Sequence, residues 1–207
     1  SSPAKVGRLL NQICLENKID FVHSFTYALR VEAALLFVNY SKKLYTVRND
    51  PFHGSIVYHG WILGTLIKFI KAYCYRRAYK VFACSNSVGF ILQENNIANT
   101  VIRNGTMLRD IARREVVSKQ QIRFITVSNG TKMKNIDFLV SVFELFPNFC
   151  LDVVGTLPKG LLKSDLPSNI RFLGHVQDIY SEMERVDVFI SASSLEGLPN
   201  AVLEAII

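Results

Sequence analysis

The feature that most constrains the fold is a repeated alternation of short apolar runs with helix-length segments. Residues 20–24 (DFVHS), 43–47 (KLYTV), 80–84 (KVFAC) and 100–103 (TVIR) read as strands. Helical patterns at 4–18, 27–39, 57–79 and 86–95 precede and separate them. The second half repeats the plan, with strands at 122–127, 150–154, 170–173 and 187–191 and helices at 136–146, 178–186 and 199–207. A loop joins its second strand to its third. The strands are rich in Val, Ile and Phe without strict alternation, as strands covered on both faces of a parallel sheet are. The pattern predicts an α/β chain, doubly wound with right-handed crossovers.

Two Rossmann-like lobes with a cleft between them follow from this repeat. The division is expected within 104–121, where an Asn104-Gly105 turn leads into a charge-rich stretch, giving lobes 1–117 and 118–207. Both lobes read as incomplete. The first opens on a helix, without the strand and Gly-rich turn that usually start such a lobe, and the second stops in mid-helix at Ile207. A chain cut there is expected not to turn over substrate.

Composition narrows the class. Of 207 residues, 49% are hydrophobic and 20% charged, enough apolar material for a core and far from a disordered composition. The four cysteines are widely spread, with no C-x-x-C pair, so neither a disulfide scaffold nor a zinc or redox site is expected. The charge is uneven: residues 1–117 carry 16 basic and 7 acidic side chains, and residues 118–207 carry 8 and 10. A basic first half faces either a polyanion or only solvent. No RNP, helix-turn-helix or Cys/His module accompanies it, so nucleic acid is not the expected partner. Residues 61–80 hold five cations, no acid and several aromatics. They read as a helix lying on an anionic membrane, or equally as an ordinary packing helix. No secretory leader or membrane span is read from the sequence, so a cytoplasmic protein, peripheral at most on the inner membrane face, is expected.

The segment from Ser191 to Glu204 carries the chemistry (SASSLEGLPNAVLE). A buried strand ends in small polar residues, and a Gly-containing turn leads to Pro199, which suits a first helical position. Such a turn aims the N–H groups of Gly197, Leu198 and Asn200 at the space above the strand ends, a ready site for phosphate or sugar hydroxyls. Glu196 sits in the turn, and Glu204 lies eight positions on. As an isolated pair they read rather as a helix cap and a solvated helix residue.

Together, Glu196-Gly-Leu-Pro-Asn-x-x-x-Glu204 resembles the E-x7-E signature of the family 4 glycosyltransferases, retaining enzymes of GT-B fold that use nucleotide-sugars. The resemblance spans most of the chain. Asp20-Phe-Val-His-Ser24 is similar to the family's first-lobe strand, and Arg48-Asn-Asp-Pro51 to a motif of polysaccharide-building members. Ala83-Cys-Ser-Asn-Ser87 and Arg103-Asn-Gly105 match later steps. Residues 125–135 (ITVSNGTKMKN) stand where the family has a Gly-Arg pair followed by Lys-Asn, and Val154-Gly155 and Phe172-Leu-Gly174 supply the remaining landmarks.

By that resemblance Lys134 holds the donor diphosphate, Glu204 the ribose hydroxyls, and Glu196 lies against the donor sugar, with His23 as a second catalytic candidate. Main-chain groups around His175 and Val176 meet the base. The implied partners are a nucleotide-sugar donor and a glycan or lipid-linked acceptor, in cell-surface polysaccharide synthesis. The sequence departs from the family at two places: Asn129 stands at the phosphate-binding Arg position, which removes a bidentate contact, and Phe25 stands where many members have a second His. With those departures, a catalytically inactive nucleotide-sugar-binding fragment is the alternative. No cofactor is expected and no metal site is expected, since no His, Cys or Asp cluster has ligand spacing.

Overall fold

The computed structural model describes residues 2–25, 28–107 and 121–206. Contacts divide the chain into two units, Ser1–Asn104 with Glu196–Leu198, and Gly105–Leu195 with Pro199–Ile207. The division expected at 117/118 falls outside the described residues, as does most of the expected connecting stretch.

In the first unit every strand lies where the apolar runs place it. Strands β1 (Phe21–Ser24), β2 (Lys42–Val47), β3 (Lys80–Ala83) and β4 (Thr100–Val101) form a parallel sheet in that order. Helices start where a short polar side chain can take up a free N–H. Ser2 accepts from Lys5 N ahead of α1 (Pro3–Glu16), and Ser85 accepts from Val88 N ahead of α5 (Asn86–Glu94). Asp50 Oδ1 accepts from Phe52 N and His53 N ahead of α3 (His53–His59). The helix expected over 27–39 is shorter: α2 (Leu29–Ala34) tightens into a 3₁₀ turn at Leu35–Phe37.

The largest correction concerns the helix expected at 57–79. It is two helices, α3 and α4 (Trp61–Arg76), broken at Gly60. Gly60 has φ 77°, a left-handed conformation that ends one helix and lets the next begin. Gly64 then lets the helices pack closely, because a Cβ there would overlap the backbone of Ile56. Lys71, counted among the five cations of this segment, points into the core. Tyr45, Cys74, Tyr75, Val81, Val88 and Leu92 fill that core.

The second unit has strands β5 (Arg123–Asn129), β6 (Cys150–Thr156), β7 (Ile170–Gly174) and β8 (Val188–Phe189). All are parallel, but their order is β7-β6-β5-β8. Helices α6 (Ile136–Leu145), α7 (Ile179–Met183) and α8 (Asn200–Ile206) complete the unit. Leu139, Phe143, Leu151 and Val153 lie at the centre of its core. Asp152 is buried on the middle strand and accepts two hydrogen bonds from Arg171 of β7, at 2.8 and 2.7 Å. Arg123 of β5 adds an ion pair at 3.6 Å. A lone carboxylate buried there would be costly; held between two guanidiniums it ties three strands together.

Candidate functional site

The strand order of the second unit sets out the site. From β5 the chain builds outward to β6 and then β7, and only afterwards returns to place β8 on the other side of β5. Where connections leave a parallel sheet in opposite directions, the loops after the two adjacent strands diverge and leave a crevice at the carboxyl edge. Here those loops follow β5 and β8, and they carry the segments 129–135 and 191–195.

The loop after β5 is shaped by its own polar groups. Asn129 Oδ1 accepts from the N–H and hydroxyl of Thr131, at 3.2 and 2.7 Å. Gly130 has φ 76°, and its N–H donates to Ser128 Oγ. A 3₁₀ turn, Lys132–Lys134, then presents Lys134, half-buried. Asn135 begins α6 in the left-handed region, at φ 48°. Its Nδ2 donates to the carbonyl of Ala192 at 2.8 Å, and Ser194 N donates to the carbonyl of Met133 at 2.9 Å. The residues on either side of Lys134 are therefore tied to the loop after β8, and the two loops form one rim. In the sequence Asn135 stands out only as part of a Lys-Asn step. Its signal was residue type, since Asn tolerates this conformation better than other side chains.

Further along the same edge, Thr156 Oγ1 at the end of β6 lies 3.1 Å from His175 Nε2 after β7. Gly174 turns the chain there at φ 71°, and Val176 follows, half-buried. Pro199 stands just before α8 rather than at its first position, and its carbonyl accepts from Val202 N and Leu203 N. Asn200 opens the helix, exposed, and Glu204 lies half-buried one turn on. Asn129, Lys134, Val176, Asn200 and Glu204 thus all belong to the second unit.

Glu196, Gly197 and Leu198 belong to the first unit. Gly197 N–H was expected to be a free donor, but it donates to Asn49 Oδ1 at 3.1 Å. The Leu198 carbonyl accepts from Asn104 Nδ2 at 2.7 Å. A Cβ at Gly197 would overlap the carbonyl of Arg48 and come within 2.6 Å of Cys84 Sγ. Asn49, Cys84 and Asn104 stand at the carboxyl ends of β2, β3 and β4, and the sequence offers them only as parts of turn and landmark segments.

His23, at the same edge on β1, has Nε2 2.8 Å from Thr46 Oγ1 and its ring stacked on Phe25, with centroids 3.9 Å apart. Burial lowers its pKa below the ordinary histidine value, so it is neutral near pH 7. Phe25, found where a second His was looked for, serves as a stacking partner. Among the described residues no group of three or more His, Cys, Asp or Glu side chains is arranged to hold a metal ion.

Comparison with known proteins bears on the family and the fold. Residues 109–207 match the family described as "Glycosyl transferases group 1". An uncharacterized glycosyltransferase of Methanocaldococcus jannaschii is 29% identical over 100 residues, 44% of this chain and 25% of that protein. Sucrose-phosphate synthase from Thermosynechococcus elongatus superposes with a TM-score of 0.76 at 15% identity, over 98% of this chain and 57% of that one. A mutant TarM of S. aureus, in complex with fondaparinux, α-GlcNAc-glycerol and UDP, superposes with a TM-score of 0.70 at 13% identity, over 95% and 42%. The fold is thus the α/β, GT-B-type arrangement of parallel sheets. The chain spans about a quarter of its curated relative and about half of these solved structures.

Proposed function

We propose that this chain is part of a glycosyltransferase that moves a sugar, with retention of configuration, from a nucleoside diphosphate donor to a glycan or lipid-linked acceptor. One observation carries the reading: the strand order that reverses at β5 and β8, with the loops after them hydrogen-bonded together on either side of Lys134. In the reaction the bond from the sugar's anomeric carbon to the diphosphate breaks. The acceptor oxygen bonds that carbon on the same face, and its proton leaves with the departing phosphate oxygen. The protein's task is to hold the charge that builds on the diphosphate, and a fixed ammonium does this well in a water-poor crevice. Lys134 supplies that charge, with Asn200 beside the donor. Glu204 takes the ribose hydroxyls and Val176 lies against the base. By the family resemblance Glu196 is assigned to the donor sugar and His23 to the acceptor. Asn129 closes its own turn, so it meets the diphosphate through a neutral side chain where an Arg would bring charge. This leaves an inactive nucleotide-sugar-binding protein as the second reading.

The same reading places the enzyme in cell-surface polysaccharide synthesis on the cytoplasmic side, its first unit resting on an anionic membrane. Support comes from α4. Ile62, Leu66, Phe69 and Tyr73 recur at helical spacing along its exposed side, next to Trp61, and Trp61 and Ile62 are 76% and 80% exposed. Residues 51–93 contain no acidic side chain, and Arg76 and Arg77 close the stripe. No helix among the described residues is long and apolar enough to cross a membrane.

The deciding experiment incubates the longer protein of which this chain is read as a part with a panel of radiolabelled nucleotide-sugars and membrane-derived acceptors. Transfer, with the product's anomeric configuration read by NMR, is the expected result. Binding without transfer would leave the inactive reading standing, and neither binding nor transfer would end both.

A further inference from the structure

We propose that Asn49 and Asn104 are positioning residues that hold the Glu196–Leu198 turn in one conformation. The step from a held turn to catalysis rests on Glu196 meeting the donor sugar; the holding itself does not. Asn49 Oδ1 accepts from Gly197 N–H at 3.1 Å, and that N–H belongs to the peptide plane joining Glu196 to Gly197. Fixing the plane fixes the torsion that aims the Glu196 main chain, and the side chain with it. Asn104 Nδ2 donates to the Leu198 carbonyl at 2.7 Å, which fixes the next plane but one, just before Pro199. Proline restricts the backbone on its own side.

Between the two bonds, Gly197 lies where no side chain fits, against the Arg48 carbonyl and Cys84 Sγ. Cys84 Sγ donates to that same carbonyl at 3.1 Å, and Leu198 packs on the first unit's buried core. The anchors come from the ends of three different strands, β2, β3 and β4. A loop tripeptide of this kind is otherwise free to drift, and a shift of ~1 Å at a reacting group can cost ~10²-fold in rate.

The two asparagines act with opposite polarity, and the test uses that. Replacing Asn by Asp keeps an acceptor oxygen but removes the amide donor. Asn49→Asp is therefore expected to leave the turn held, whereas Asn49→Leu releases it. Asn104→Asp sets a carboxylate against a carbonyl oxygen and releases the turn, and Asn104→Ala gives a milder version should that variant fold poorly. Two readouts are taken on each variant beside the unaltered protein: amide hydrogen exchange of the peptide spanning 193–203, and the kcat of transfer with UDP affinity measured in parallel.

Asn49→Leu, Asn104→Asp and Asn104→Ala are expected to speed exchange at Gly197 by about tenfold or more, as a lost hydrogen bond does. They are expected to lower kcat by about 10- to 100-fold while UDP affinity stays within about twofold. Asn49→Asp is expected to match the unaltered protein in both. Equal behaviour of Asn49→Asp and Asn49→Leu, or unchanged Gly197 exchange in all four variants, would overturn the proposal. Should the unaltered protein show no transfer, the exchange data still decide whether the turn is held. A failure of the transferase reading is thereby kept apart from a failure of this one.

Discussion

The ammonium of Lys71 on α4 lies 3.8 Å from the carboxylate of Glu32 on α2, with 2% and 3% of the two side chains exposed. Tyr75 donates its hydroxyl to Glu32 Oε1 at 2.6 Å, and Tyr45 donates to the Glu32 carbonyl at 3.0 Å. Burial pushes the Glu32 carboxyl above its ordinary range and Lys71 below its own; their mutual attraction opposes both shifts. Removing one partner strands the other. Lys71→Met is expected to cost about 3–5 kcal/mol of stability, and the double variant Glu32→Gln/Lys71→Met much less.

The pH dependence of Lys71→Met has a definite sign. Without the ammonium, folded Glu32 keeps its proton well above pH 4.5, where the unfolded chain releases it. The folded state then binds more protons, so stability falls as pH rises from about 5. Urea midpoints between pH 5 and 8 check this, and a midpoint that climbs across that range would contradict it.

Donor recognition is expected to divide by chemical part. Lys134→Ala should weaken both UDP and inorganic pyrophosphate by about tenfold or more, since a charge-assisted contact is lost. Glu204→Ala should weaken UDP by a few-fold and leave pyrophosphate unchanged, because the ribose is absent from the latter. Calorimetry with the two ligands separates these cases. Equal losses for both ligands in Glu204→Ala would remove the ribose assignment.

Asn135 joins two roles that substitution can pull apart. Asn135→Gly keeps the left-handed conformation of φ 48° but loses the bond to Ala192, at an expected cost of about 1 kcal/mol. Asn135→Leu loses both and should cost about 2–3 kcal/mol. Thermal melts that rank the two the other way would deny the conformational role.

The exposed stripe on α4 predicts that the protein floats with vesicles containing 30% phosphatidylglycerol and less well with pure phosphatidylcholine. Serine at Ile62, Leu66 and Phe69 together should abolish flotation without lowering the melting temperature, since these side chains are already outside the core. Sedimentation of the same variants reports on the alternative. A dimer that dissociates on substitution would assign the stripe to a second copy of the chain.

Activity is expected to survive EDTA, with the diphosphate's charge held by Lys134. Loss of transfer on chelation and recovery with Mn²⁺ would contradict this.

All eight strands among the described residues were legible in the sequence because apolar β-branched runs bounded by turn residues admit few other readings. The break at Gly60 was not, since a glycine inside a continuous apolar pattern reads as tolerated until its φ of 77° shows otherwise. Lys71 looked like a surface cation for the same reason: sequence reveals charge but not the carboxylate on another helix that makes burial affordable. At the candidate site, Lys134 and Glu204 were suggested by the family resemblance. Asn49 and Asn104 escaped notice as anchors because their partners lie 148 and 94 positions away. No local pattern registers a bond of that reach.

The bonds that close the rim of the crevice also span long stretches of chain, 57 positions from Asn135 to Ala192 and 61 from Met133 to Ser194. A ribosome makes the lysine loop first and its clasp last, with three further strands emitted in between. At ordinary elongation rates of ~5–20 residues per second, that loop waits several seconds for the segment that secures it. The strands β5, β6 and β7 can therefore pair while the lysine loop is still unclasped, and the loop is secured only once β8 and the segment behind it have emerged.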